Sequence, residues 1–155
     1  MKILFVCLGN ICRSPMAEAI FQHKIEEFGW ENKVETDSAG TAAYHIGERP
    51  DHRTLQVLES NNIFTSHRAR QVSANDDEEF DHIIAMDSSN QADLKQKFRT
   101  TNILMMRDYD EGHAGAAVPD PYYGDLSDFE EVYQILDRSI DAFIQREIKP
   151  FFHAS

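Results

Sequence analysis

With 155 residues, 41% of them hydrophobic, the chain is long enough to bury a full core and short enough to need only one, so residues 1–155 are expected to form a single domain. The formal net charge of -12 excludes nucleic acid or an anionic membrane as the main partner, because phosphate backbones demand a basic face; a phosphate site here must be a local pocket of positive potential. No segment approaches the ~20 apolar residues of a membrane span. The apolar run behind Met1-Lys2 breaks at Gly9-Asn10, too early for a secretory signal, and Cys7 and Cys12 stand in one loop rather than as distant staples, which suits a reducing cytoplasm.

Ile3 to Val6 is an uninterrupted apolar run, the pattern of a central parallel strand buried on both faces. Ser14-Pro15 has the form of an N-cap followed by proline at the first helical position. From Met16 through Phe28 apolar residues recur at three- and four-residue intervals, and Gly29 supplies a C-terminal cap. Lys33 to Gly40 is a second strand ending in small residues that suit close backbone packing. A loop over Thr41 to Pro50 leads to a helix over Asp51 to Asn61, with Leu55 and Leu58 on one face. Ile63 to Ser73 is irregular and basic at His67-Arg68-Ala69-Arg70, and the acidic run Asp76 to Glu79 reads as a solvated helix start.

His82 to Asp87 is a third, buried strand, and Ser88-Ser89-Asn90-Gln91 has capping-box spacing for a helix through Phe98. Asn102 to Met106 is the fourth strand. Arg107 to Asp125 lacks any period and carries Gly112, Gly115, Pro119, Pro121 and Gly124, so it reads as a long loop of the functional kind. Ser127 to Glu130 is a second capping box, opening a helix whose apolar stripe runs from Phe129 to Ile148. Such alternation predicts an α/β three-layer, doubly wound sandwich: a four-stranded parallel sheet with helices on both faces and right-handed crossovers.

The loop after the first strand lies at the carboxyl end of a strand and the amino end of a helix, where α/β sheets bind ligands and free N–H groups attract anions. Between Cys7 and Arg13 stand Leu8, Gly9, Asn10, Ile11 and Cys12. Curled around one point, their N–H groups and the arginine fork would embrace a tetrahedral oxyanion, and the same field would favour the thiolate of Cys7. Thiolate attack on phosphorus yields a cysteinyl-phosphate and requires an acid for the leaving oxygen. Asp120, stiffened by Pro119 and Pro121 and flanked by Tyr122 and Tyr123 as an aromatic wall, is the candidate.

The run Cys-Leu-Gly-Asn-Ile-Cys-Arg-Ser at the end of a first strand, with Asp-Pro-Tyr-Tyr near the C-terminus, resembles the low-molecular-weight protein tyrosine phosphatases. The likeness extends over nearly the whole chain, through Asp37-Ser38-Ala39-Gly40, His67, Arg70-Gln71 and Ala85-Met86-Asp87. It implies Cys7 as nucleophile, Arg13 and the Leu8 to Arg13 backbone as phosphate cradle, and Asp120 as general acid. It further implies that Asn10, Ser14, Ser38 and His67 hold the loop and thiolate, that Asp87 supports them, that Tyr44 lines the cleft opposite Tyr122 and Tyr123, and that Cys12 can trap oxidised Cys7 as a disulfide. Read without the resemblance, Ser38 is equally a strand end, His67 a satisfied polar residue, and the tyrosines packing residues.

The implied substrate is a phosphotyrosine-containing protein, in the cytoplasm; oligomeric state stays open. The seven histidines show no clustered or HExxH spacing, so neither metal nor other cofactor is expected. A P-loop nucleotide binder is excluded because no Gly-Lys-Ser/Thr follows the glycine. Arsenate reductases of this fold need further cysteines for their relay, and none follows Cys12. Protein arginine phosphatases carry threonine where this chain has Ile11. A catalytically silent phosphate-binding module would require neither Cys7 nor Asp120.

Overall fold

The computed structural model describes residues 1–100 and 102–153. Strand β1 (Lys2–Cys7) pairs in parallel with β2 (Glu35–Gly40) on one side and β3 (His82–Ala85) on the other, and β4 (Ile103–Met105) pairs with β3, so the order across the sheet is β2-β1-β3-β4. The apolar run of β1 follows from this central place. Ile3, Phe5 and Cys7 point into one buried cluster, and Leu4 and Val6 into the other. The period-two alternation of a strand thus puts Cys7 on the same face as Phe5.

On that face lie α1 (Arg13–Glu27), α2 (His52–Ser60) and α5 (Leu126–Phe143), around Phe5, Phe21, Phe129 and Phe143, all fully buried. The rings of Phe21 lie 5.6 Å from Phe5 and 6.0 Å from Phe143, tilted or edge-on as aromatic quadrupoles prefer. The opposite face is covered by α4 (Ser88–Lys97), whose Leu94, with Phe98 beyond it, packs on Leu4, Val6, Ile83 and Ile103. The sandwich is therefore three-layered, as its alternating pattern predicts.

Three helix starts differ from their sequence signatures. Ser14 is not the cap of α1: the helix begins at Arg13, the capping position is Cys12 with no side-chain cap bond, and the Ser14 hydroxyl is drawn to Cys7 instead. At α4 the cap is Asp87, which accepts from Asn90 N at 2.7 Å, one residue before the expected box. At α5 it is Asp125 that caps, in a reciprocal box with Asp128, because the carboxylate outcompetes the Ser127 hydroxyl, whose own Oγ bonds to Asp125 at 2.5 Å. Gly29 does end α1: its φ of 74° lets Gly29 N and Trp30 N return to the carbonyls of Glu26 and Ile25.

The acidic run forms the single turn α3 (Asp76–Glu79), but Asp76 is buried rather than solvated and receives the Arg70 guanidinium at 3.0 Å. After β4, residues Met106–Tyr109 make a 3₁₀ turn that opens the long loop. The C-terminal helix passes through a π-helical turn, Ile144–Ile148, into α6 (Lys149–His153). Among the described residues no helix is long and apolar enough to cross a membrane.

Candidate active site

The loop between β1 and α1 curls around a cleft. The chain turns through Asn10, whose φ of 59° is left-handed, a conformation asparagine tolerates better than most residues. That turn aims Asn10 N at the Cys7 Sγ, 3.3 Å away, while the Ser14 hydroxyl lies 2.9 Å from the same sulfur. Cys7 sits at the floor, and Leu8, Gly9, Asn10, Ile11, Cys12 and Arg13 form the cradle above it.

Asn10 is completely buried and bonded from both ends of its amide. Nδ2 donates to Ser14 Oγ at 2.8 Å and Ser38 Oγ at 3.0 Å; Oδ1 accepts from Arg70 N at 3.0 Å and meets His67 Nε2 at 2.8 Å. The β2 strand supplies Ser38 because its register with β1 places Ser38 beside Phe5. Two residues on, Gly40 lies against the loop itself: a Cβ there would stand 2.6 Å from the Leu8 carbonyl oxygen. The small residues at the end of β2 thus serve close backbone approach, as their sequence suggests.

Arg13 is 3% exposed and doubly anchored: Nη1 donates to Asp87 Oδ2 at 2.8 Å and to the Val118 carbonyl at 3.0 Å. Burial by itself works against its charge, but Cys7 and the carboxylates of Asp87 and Asp120 outweigh it and raise the pKa further, so the guanidinium stays cationic. Asp87 therefore has two tasks, capping α4 with one oxygen and bracing Arg13 with the other. Its place at the end of β3 makes both possible.

Asp120 arrives from the long loop. Val118, fully buried, donates its N–H to the Met86 carbonyl at 2.8 Å and gives its own carbonyl to Arg13. Two residues later Asp120 Oδ2 stands 3.7 Å from Arg13 Nη2, while Oδ1 accepts from Tyr122 N in a tight turn. The side chain is 46% exposed and faces the cleft. Tyr44, His45, Tyr122 and Tyr123 also line the cleft, with the His45 and Tyr122 rings 6.3 Å apart; Tyr44 is 74% and Tyr123 96% exposed.

Every site residue singled out from the sequence is in this assembly, but the supports Arg53 and Glu18 carried no signal there, and Asp37 stood only inside the Asp37-Ser38-Ala39-Gly40 run. Arg53, stacked 4.3 Å over the Phe129 ring, donates to the carbonyls of Tyr122 and Gly124 and so ties the Asp120 loop to α2. Asp37 braces Arg70 through its Oδ2 at 2.9 Å. Glu18, on α1, accepts from Ser38 Oγ at 2.6 Å and lies 3.1 Å from His67 Nδ1. Burial pushes Glu18 up to about 7, and burial likewise pushes His67 down from its ordinary value. Cys12 is a buried free thiol, held well above the ordinary thiol range by burial and then by Asp51 and Cys7.

A cysteine at the floor of an N–H-lined cradle, an anchored arginine over it and a carboxylate reaching in from a distant loop together suit transfer of a phosphoryl group. The profile of the family described as "Low molecular weight phosphotyrosine protein phosphatase" matches residues 2–150. The chain belongs to that family.

A Schizosaccharomyces pombe low molecular weight phosphotyrosine protein phosphatase is 46% identical over 144 residues, 90% of this chain and 92% of that protein. The crystal structure of YfkJ from Bacillus subtilis superposes with a TM-score of 0.88 at 43% identity, covering 96% of this chain and 97% of the other. A Drosophila arginine phosphatase superposes equally well, with a TM-score of 0.89 at 33% identity over 96% of this chain and 99% of that one. The low-molecular-weight phosphatase fold by itself thus serves two kinds of phosphorylated side chain.

Proposed function

We infer that this phosphatase hydrolyses phosphotyrosine in proteins through a cysteinyl-phosphate and without a metal. The observation that supports this most is the meeting of Arg13 and Asp120 at 3.7 Å in the cleft floored by Cys7. The phosphate would sit in the cradle of Leu8 to Arg13 N–H groups at the positive end of α1, with the Arg13 fork on two of its oxygens. The Cys7 thiolate attacks phosphorus as the bond to the tyrosyl oxygen breaks, and Asp120 gives that oxygen its proton. Asp120, now a carboxylate, takes a proton from the water that attacks the phosphocysteine, releasing phosphate and restoring the thiolate. The Ser14 hydroxyl, 2.9 Å from Sγ, donates to the sulfur each time it bears charge.

Tyr44, Tyr122 and Tyr123 suit a flat aromatic leaving group stacked between them, and Ile11 leaves the cradle wall apolar. Those features favour phosphotyrosine over phosphoarginine. Cys12 would condense with a sulfenic acid at Cys7 to a disulfide and water. Chemistry of this kind suits the reducing cytoplasm.

The test is hydrolysis of a phosphotyrosine peptide and a phosphoarginine peptide in the presence of a chelator. Turnover of the first, weak turnover of the second and loss of both in Cys7→Ser are expected. Full activity of Cys7→Ser, or dependence on added metal, would end the proposal.

A further inference from the structure

Behind the phosphate loop, away from the cleft, lies a cavity of about 460 Å³ lined in part by Glu18, Gln22, His23, Thr65, Ser66 and His67. The geometry points to a regulatory site at the edge of this cavity for a divalent transition-metal ion of the Zn²⁺ class, held by His67 Nδ1 and the Glu18 carboxylate, which line the cavity, and by the Asp37 carboxylate beside them. These residues come from α1, β2 and the segment after α2, and one ligand atom of each lies within 4.8 Å of the others.

The spacing is close to what such an ion needs. Bonds of about 2.0–2.1 Å in tetrahedral geometry put ligand atoms roughly 3.3–3.5 Å apart. His67 Nδ1 is 3.1 Å from Glu18 Oε1 and 3.9 Å from Asp37 Oδ1, so shifts of a few tenths of an ångström close both edges. Water from the cavity would complete the set.

The imidazole is already oriented as a ligand. Its Nε2 faces Asn10 Oδ1 at 2.8 Å, and a histidine that gives its outer N–H to an oxygen presents the other nitrogen's lone pair to an ion. A nitrogen donor with two carboxylates favours Zn²⁺ over Mg²⁺ or Ca²⁺. The nearby cation is Arg70, bonded to Asp37 Oδ2 at 2.9 Å and to Asp76; Asp37 Oδ1, which accepts from Ser38 N at 2.8 Å, is the oxygen turned toward His67.

The consequence reaches the cleft through Ser38. Glu18 Oε1 is the acceptor of the Ser38 hydroxyl, and that hydroxyl's oxygen accepts from Asn10 Nδ2. An ion that claims Glu18 loosens this relay and with it the loop turn at Asn10, so occupancy weakens phosphate binding. The site is absent from any sequence spacing because its three ligands are distant along the chain.

The test uses the full chain with Cys7→Ser and Cys12→Ser, which removes the thiols as competing ligands. Titration with Zn²⁺ should show one site per chain, and Co²⁺ in its place should give a visible ligand-field band without sulfur-to-metal charge transfer. Asp37→Asn and Glu18→Gln, each checked for folding by thermal melting, should weaken binding about tenfold or more, the usual scale for loss of a supporting group. Absence of binding in the thiol-free chain, or binding unchanged by both substitutions, would overturn the site.

Discussion

Asn10 offers the sharpest test of how the phosphate loop is held. Replacing it with alanine removes the acceptor of Arg70 N and His67 Nε2 and the donor to Ser14 and Ser38, all inside a position with no exposure. The two hydroxyls can rotate to other partners and His67 Nε2 keeps the Ser38 hydroxyl at 3.3 Å, but Arg70 N is orphaned, at about 1–3 kcal/mol. Alanine must also hold the left-handed φ of 59°, which adds about 1 kcal/mol. The sum, about 2–4 kcal/mol, is a substantial part of the ~5–15 kcal/mol that holds a typical domain together. Asn10→Gly should recover about 1 kcal/mol of that loss by relieving the backbone. Asn10→Asp keeps the acceptor but removes the donor, and should restore the Arg70 bond while leaving a carboxylate beside Cys7 to weaken anion binding. Urea unfolding of the series, alongside inhibition by inorganic phosphate, separates stability from loop geometry. An alanine variant within about 1 kcal/mol of wild type and with unaltered phosphate affinity would refute the view that this one amide organises the loop.

Asp120→Asn should lose about 10²–10⁴ in kcat with alkyl phosphates and far less with nitrophenyl phosphate, whose leaving group needs no proton; equal losses across leaving groups would remove Asp120 from the acid role. Gly40→Ala drives a Cβ to 2.6 Å from the Leu8 carbonyl, so it should cost about 1–3 kcal/mol of stability and raise KM as the loop is displaced, read by thermal melting and steady-state kinetics. Glu18 predicts a pH dependence. Its folded pKa of about 7 exceeds its usual 4.5, so the native state binds the proton more tightly, and the stability this contributes is present below about 4.5 and lost as pH rises through about 7. Its lowered neighbour His67 acts in the opposite sense, losing stability as pH falls below about 6.5. Relative to wild type, Glu18→Gln should therefore become more stable between pH 5 and 8, by at most on the order of 3 kcal/mol; chemical unfolding at several pH values reads the slope, and a slope of the other sign would count against a buried Glu18 with a raised pKa.

Much of this molecule is determined by local sequence. The unbroken apolar run of β1 requires burial on both sides, and strict alternation then assigns Cys7 to the α1 face. The Cys7 to Arg13 spacing and the small residues before Gly40 likewise announce a tight loop with backbone pressed against it. These are properties of a backbone and its nearest neighbours, which a linear chain carries directly. Partners across elements are another matter. Ser14 has the sequence of a helix cap and instead serves the sulfur, because the loop brings Cys7 within 2.9 Å of it. Ser88 and Ser127 are displaced as caps by Asp87 and Asp125, carboxylates that accept more strongly. Glu18 looks like an ordinary surface polar residue along the chain, yet it meets Asp37 and His67 because β2 lies beside β1 and the segment after α2 pairs with the end of β2. The meeting of Arg13 with Asp120 belongs to the same class. Periodicity records which face of an element is buried, whereas the identity of what waits there is decided only when the sheet order and the loop paths bring distant side chains to within hydrogen-bond reach.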